Sequence, residues 1–547
     1  MTNELVQYFV ENDFLLSPEI IDLIKDKKEF VDLVKKFIKN NEKLLVLNDD
    51  IYNNLTQMHQ LIDFNWSEFE KSRSYFEKNS DEKIYSTFVD ILSYNIEKKK
   101  TKQIDKILEE IKHEPTEEFL LKEDNLRSNV MILNSWDLDV GKRTVQDFVK
   151  HFRARYNQLK KILECRPELQ NCISINRLYN KKDKEQVAVI AMVADKSITK
   201  NGNILITLED LTGKTKLLIS KNNPIFSIGK DITEDEVIGV IGITGDNIIF
   251  ANTIFQPDIP TTKELKKCPE EVYAGFISDI HFGSKKFLKE DFLRMVEWIN
   301  GNTGNNQQKS ISKRLKYIFI IGDVVDGVGI YPDQDKELEI KDITQQYSLA
   351  AEYLDKIRKD INIILCPGQH DAVRISEPQP SLNNEYTKSL NKISNLKLVS
   401  NPALINIHAS EDFPGFDVLI YHGASYHYYN NNIDSLRQSG AQNNPTLVIK
   451  YLLKRRHLAP THGSSLYSPQ TEKDAMVIEK IPDIFASGDS HRCETAMYNN
   501  ISIIGSSCFQ AKTAFQEKVG NNPNPSRLPI INLKTREIKI LNFSEEQ

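Results

Sequence analysis

Five short stretches hold residues of the kinds that bind divalent cations and act on phosphate. They are Ser278-Asp279-Ile280-His281, Gly322-Asp323-Val324-Val325-Asp326, Gly368-Gln369-His370-Asp371, His422-Gly423 and Gly488-Asp489-Ser490-His491. Asp279, His281, Asp323, Gln369, His422, Asp489 and His491 together offer seven oxygen or imidazole donors. Residues two apart on an extended segment project to the same side, so Asp279 and His281 can reach one cation. Mixed carboxylate and imidazole donors suit manganese, iron or zinc better than a magnesium-only site. Two such cations about 3.5–4 Å apart can activate a water and clamp a phosphate. A lone Asp-x-His is usually structural, but five motifs in order at strand ends point to a metal site. Gly322, Gly368, Gly423 and Gly488 let the backbone turn sharply there.

The elements that must position these residues are legible around them. Apolar runs at 274–277, 317–321, 361–365, 418–421 and 484–486 each end in one motif, and a further run lies at 501–504. Helical patterns fall between them, for example at 289–299 and 347–359. The alternation predicts an α/β layered domain over 270–547, and open α/β sheets bind ligands at the carboxyl ends of their strands.

Upstream the period changes. Five short strand-like runs, at 187–193, 203–210, 215–219, 237–243 and 247–254, follow a helical stretch at 144–163. They predict a β-barrel domain with a leading helix over 144–260. Residues 1–75 carry apolar positions at helical spacing, with Ser17-Pro18-Glu19 as a helix start, and predict an α-helical N-terminal domain. The Lys- and Glu-rich stretch 76–143 reads as a charged linker.

The 547 residues carry 71 basic and 77 acidic side chains, a net charge of −6. Nucleic acid must therefore be met by a local patch or by a partner. The six cysteines form no Cys-x-x-Cys pair, which argues against structural zinc and a disulfide framework. No run of 18 apolar residues and no secretory signal is evident, so a cytoplasmic protein without a membrane anchor is expected.

The ordered set Asp-x-His, Gly-Asp-x-x-Asp, Gly-Gln-His-Asp, His-Gly and Gly-Asp-x-His resembles the calcineurin-like metallophosphoesterases. The texture of residues 203–213 is similar to OB-folds. The runs 325–334, 370–380 and 457–461, behind an OB-like domain and a helical N-terminus, resemble the small subunit of archaeal D-family DNA polymerase. That resemblance implies a metal-dependent 3′–5′ exonuclease, nucleoid-associated in an archaeal cytoplasm. It would pair with a large polymerising subunit, act on primer-template or single-stranded DNA, and meet a sliding clamp through the holoenzyme. It also implies roles. Asp279, His281 and His491 would hold one of two divalent cations (Mn2+, with Fe, Zn or Mg as alternatives). Asp323 would bridge both, and Gln369, His422 and Asp489 would serve the second. His370 would face the scissile phosphate, with Asp371 orienting it and Asp326 either structural or backing the ligands.

Gln369 and Asp489 stand where the family has Asn and His, and both changes fall on the second cation. The alternative is thus a structural subunit with a weakened site, as in the eukaryotic B-subunits. A small-molecule or protein phosphatase would not need the upstream domains. Arg374, Arg455 within Lys454-Arg455-Arg456-His457, and His462 are candidate DNA contacts; a solvated helix end is the other reading of the basic run. Tyr426, Tyr428 and Tyr429 suit either stacking on a frayed 3′ end or the core. Few aromatics mark the barrel strands, which favours a platform role for that domain.

Overall fold

The computed structural model describes residues 128–136, 141–518 and 520–544, plus the parallel backbone pair Leu15–Leu16 and Val46–Leu47. The chain divides into two units, Met1–Glu123 and Asp124–Gln547. Apart from that pair, the helical domain expected over 1–75 lies outside the described residues, as does the linker as far as 127.

Within the expected linker the second unit opens with a strand, β1 (Val130–Asn134), antiparallel to a strand 270 residues later. Its lysine-rich surroundings masked a short apolar run. Val130 and Leu133 pack against two different cores, and the sheet satisfies the backbone donors.

Helix α1 (Val145–Glu164) starts where the Thr144 amide and hydroxyl both donate to the Asp147 carboxylate, at 2.8 and 2.9 Å. The barrel follows: β2 (Gln186–Ile198), β3 (Ile204–Glu209), β4 (Lys214–Ile219), the short helix α2 (Phe226–Asp231), β5 (Val237–Gly245) and β6 (Ile248–Phe255). It closes in the order β2-β3-β4-β6-β5, with β5 returning to β2. Alternate residues such as Val187, Val189, Ile204, Ile206, Leu217 and Val240 fill its interior.

Two six-stranded sheets make up the rest. The first holds β7 (Tyr273–Ile277), β8 (Leu315–Ile321), β9 (Asn362–Cys366) and β10 (Leu396–Leu398), in the order β10-β9-β8-β7 and all parallel. The second sheet runs outward from β1 through β11 (Ala403–Ile407), β12 (Phe416–Tyr421) and β13 (Ile484–Ser487). It ends on β14 (Glu494–Tyr498) beyond β15 (Ile501–Gly505), while β16 (Arg527–Asn532) and β17 (Ile538–Asn542) complete the first sheet beside β7. The sheets face each other across Phe276, Tyr317, Phe319 and Ile364 from one, and Ile405, Val418, Ile420 and Ile484 from the other. Helices α3 (Lys289–Ile299) and α4 (Ile343–Asp355) cover the outside of the first sheet, and α5 (Pro445–Arg455) covers the second. Strands buried on both faces need continuous apolar runs, which is why they stood out in the sequence.

Candidate metal centre

All five motifs leave the carboxyl ends of β7, β8, β9, β12 and β13, and the fold gathers these ends along one edge of the two facing sheets. Asp279, His281, Asp323, Asp489 and His491 all adopt left-handed backbone conformations, with φ between 48 and 63°. The extended Asp-x-His segment expected from sequence is therefore corrected. Non-glycine residues in this region are strained, and such strain collects at functional sites. Hydrogen bonds hold it in place. The Asp279 amide donates to the Gly322 carbonyl at 3.0 Å, and that of His281 to the Asp323 carbonyl at 3.1 Å.

Three donor groups result, each with its ligand atoms within 4.8 Å of one another: Asp279/His281/His491, His281/Asp323/His370 and Asp279/Asp323/His422. Asp323 Oδ2 stands 3.3 Å from His422 Nε2 and 4.0 Å from His370 Nε2. Asp279 Oδ1 stands 3.4 Å from His491 Nε2. Asp489 is at the margin, its Oδ1 4.0 Å from His422 Nε2 while its amide donates to Asp279 Oδ2 at 3.1 Å. Gln369 lies half-buried in the β9 loop, and no hydrogen bond of its side chain is found among the described residues.

Residues behind the donors orient their rings. His422 Nδ1 donates to the Ile321 carbonyl at 2.8 Å, which turns Nε2 toward Asp323. His281 Nδ1 lies 3.1 Å from Asp326 Oδ1 without the alignment of a hydrogen bond, and the ring turns its Nε2 inward. His370 Nδ1 donates to the Asp326 backbone carbonyl at 2.7 Å. Asp371 does not orient His370, contrary to expectation. Its carboxylate accepts from the Gly368 amide at 2.9 Å, the Val324 amide at 3.3 Å and the Tyr347 hydroxyl at 2.9 Å, so it braces the loop backbone instead. Burial first, then the neighbouring Asp323, pushes Asp371 up to about 6.

The donor set fits divalent cations. Asp279 Oδ1, His281 Nε2 and His422 Nε2 are buried yet have no hydrogen-bond partner, although buried polar atoms are nearly always satisfied. Burial and the carboxylates of Asp279 and Asp323 push Asp489 up to about 6, against the pull of His422. Burial opposes the charge on His422, but Asp323, Asp279 and Asp489 overcome it and raise its pKa well above normal. Burial holds His281 low, in the neutral form that ligates. Cations here would relieve both the crowded acids and the unsatisfied atoms.

The candidate DNA contacts separate. Arg455 is no surface group: it is buried, pairs with Glu236 at 2.8 Å and ties α5 to the barrel. Its neighbours Arg456 and His457 are buried too, the latter bound to Asp474 at 2.9 Å. Within the basic run Arg455 alone crosses to the barrel, while Arg456 donates to the Ile478 carbonyl at 2.7 Å and Lys454 stays exposed. Arg374 is half-buried and donates to the Pro378 carbonyl at 2.6 Å. His462 is exposed and meets the Tyr467 hydroxyl at 2.8 Å. Tyr426 and Tyr429 belong to the core.

Sequence reasoning passed over Gln379 and Asn401. Gln379 Nε2 donates to the Gly368 carbonyl at 2.9 Å and its Oε1 accepts from Asn401 at 2.8 Å, while Asn401 Oδ1 accepts the His422 amide at 2.9 Å. The pair thus links two metal-bearing loops. Only a buried amide inside the unusual run Glu377-Pro378-Gln379-Pro380 hinted at it. No helix among the described residues is long and apolar enough to cross a membrane.

Comparison with known proteins agrees on kinship. Residues 275–495 match the family model for the B-subunit of DNA polymerase alpha/epsilon. The DNA polymerase II small subunit of Methanothermobacter thermautotrophicus is 37% identical over 73% of this chain and 80% of its own. That of Methanocaldococcus jannaschii is 38% identical over 71% of this chain, but the match spans 64% of the longer protein. The Pyrococcus furiosus protein is 36% identical over 74% of this chain and 65% of its own. Among solved structures, an archaeal phosphodiesterase overlaps 49% of this chain at 11% identity and a TM-score of 0.24, too remote a likeness to carry an argument. With the relatives matching across barrel and sheets alike, the chain belongs to the archaeal DNA polymerase II small-subunit family.

Proposed function

We propose that this chain is the small subunit of a heterodimeric D-family replicative polymerase. In this reading it removes unpaired nucleotides from a primer 3′ end as a metal-dependent 3′–5′ exonuclease, and a large catalytic subunit polymerises. The observation that carries the reading is the convergence of Asp279, His281, Asp323, His422 and His491, with four of their buried polar atoms lacking partners.

Asp279, His281 and His491 would hold one cation, Asp323 both, and His422, Asp489 and Gln369 the second, with manganese suited to this donor set. Bound there, the cations supply an ionised water and neutralise phosphate charge. His370 Nε2 lies 4.0 Å from the Asp323 carboxylate, so it would stand beside a scissile phosphate held by cations there. His370 would steady that phosphate and pass a proton to the departing 3′ oxygen. A second reading, an assembly subunit whose nuclease is weakened, rests on Asp489 and Gln369 at the margin of the donor groups.

One experiment separates them. The purified chain, alone and with its large subunit, is given manganese and a 5′-labelled primer carrying a 3′ mismatch. Shortening from the 3′ end that His370→Ala abolishes supports the nuclease. No shortening in either preparation leaves the assembly reading.

A further inference from the structure

Two buried amide side chains, Gln379 and Asn401, each 1% exposed, stand behind the donors assigned to the second cation. Their backbones form an isolated antiparallel bridge. The Gln379 amide donates to the Asn401 carbonyl at 2.7 Å, and the Asn401 amide to the Gln379 carbonyl at 3.0 Å. Their side chains lie end to end between two backbone groups. The His422 N–H can only donate, so Asn401 turns its Oδ1 to it, at 2.9 Å. Asn401 Nδ2 then donates to Gln379 Oε1 at 2.8 Å. Gln379 Nε2 ends the row on the Gly368 carbonyl at 2.9 Å, which can only accept. The backbone at both ends thus fixes the direction of every bond, and neither amide can turn over without breaking its links on both sides. Beyond His422 the row continues, because the Gly488 amide donates to the His422 carbonyl at 2.9 Å.

This row crosses the ends of β9, β12 and β13 and passes each donor of the second cation. Gln369 follows Gly368, His422 is in the row, and Asp489 follows Gly488. The fit is close enough for slack to reach the donors: a Cβ on Gly368 would lie 2.8 Å from His422 Nε2. The donors of the first cation hang on other groups. The Asp279 amide donates to the Gly322 carbonyl at 3.0 Å, and the Asp279 carbonyl accepts the Phe509 amide at 3.1 Å. His491 is held by the Asn524 amide on its carbonyl at 3.0 Å and by Gln516 Nε2, 3.0 Å from its Nδ1.

We propose that Gln379 and Asn401 are positioning residues for the second cation alone. They hold the Gly368 loop and the His422 loop at one spacing, so that Gln369, His422 and Asp489 can close on the same ion. These donors need such a tie, because Asp489 Oδ1 stands 4.0 Å from His422 Nε2, at the margin of the cluster. The inference rests on the two-cation part of the reading above and not on the nuclease.

The test is calorimetric titration of the full chain with manganese, with electron paramagnetic resonance of the loaded samples. Wild type is compared with Asn401→Ala, Gln379→Met and the double variant. Wild type should take up two cations. In each variant the second should bind about 10- to 100-fold more weakly, as when a ligand loses an outer partner, with the first held within about twofold. The exchange-coupled spectrum of a manganese pair should give way to that of an isolated ion. The double variant should lose no more second-site affinity than either single one, because the two amides act as one row. Gln379→Met, close to the original in length, decides the matter if Asn401→Ala does not fold by circular dichroism. Two cations held as tightly as in wild type, or equal losses at both sites, would overturn the assignment. A wild type that takes up fewer than two would overturn the two-cation reading and this assignment with it. Selective loss of the second cation in a chain that shortens no primer would sink the nuclease and leave the positioning role standing.

Discussion

Replacing Asp326 tests how the centre is built, because this residue holds a donor without being one. Its Oδ1 lies 3.1 Å from His281 Nδ1 and accepts from Gln510 Nε2 at 3.0 Å, and its Oδ2 accepts from Gln334 Nε2 at 3.2 Å. Asp326→Ala removes the carboxylate that stands beside His281 Nδ1. Loss of such a partner costs about 10- to 100-fold in metal affinity, or about 1.4–2.7 kcal/mol. Gln334 Nε2 and Gln510 Nε2 each lose one acceptor but keep another, the Asp326 backbone carbonyl at 2.8 Å and the Ser284 hydroxyl at 3.2 Å, so the further destabilisation is about 1 kcal/mol. Asp326→Asn keeps the shape but sets its amide against Gln334, whose Oε1 is already engaged by the Ile330 amide at 2.9 Å. Calorimetric manganese titration and thermal melting of the two variants check this. The expected order of affinity is wild type, then Asn, then Ala. Wild-type affinity and stoichiometry in Asp326→Ala would refute the reasoning, since His281 would then not depend on its carboxylate.

Gly368 has no room for a methyl group: an added Cβ would lie 2.2 Å from Asp323 Oδ1. Gly368→Ala should therefore abolish manganese binding, measured by equilibrium dialysis, while circular dichroism shows the fold retained. Glu236→Ala leaves Arg455 buried and uncompensated, which should destabilise the barrel–sheet contact by about 3–5 kcal/mol in denaturant melts. Manganese at about 100 times its dissociation constant should add about 2.7 kcal/mol to stability, read as a rise in melting temperature that EDTA reverses. Burial, then Arg155, depress His457 from 6.5 to about 4. The unfolded chain thus takes up a proton that the folded one refuses, and stability present above pH 6.5 should fall as pH drops toward 4, by about 3 kcal/mol at most. His457→Gln should flatten that window in urea melts taken at each pH.

The sequence by itself determined six of the sandwich strands and the place of the five motifs at the ends of five of them, and it marked which residue types stand there. The reason is periodicity and position. Strands buried on both faces must be apolar throughout, and chemistry at their carboxyl ends must follow each run immediately. Five strand-like runs behind a helix were likewise enough to foresee a barrel. What it left open depended on partners distant in the chain. Arg455 and a solvated lysine look alike until Glu236, 219 residues away, is brought to 2.8 Å. Val130–Asn134 becomes a strand only because β11 offers it an edge. Asp371 braces loop amides, and His370 is held instead by the Asp326 backbone carbonyl, because which group meets which is set by what surrounds it in space. The left-handed turns at Asp279, His281, Asp323, Asp489 and His491 were hidden for the same reason. Asp and His enter this region more readily than most side chains, but that weak preference places no particular turn, and hydrogen bonds from neighbouring strand ends hold the backbone where the donors can converge.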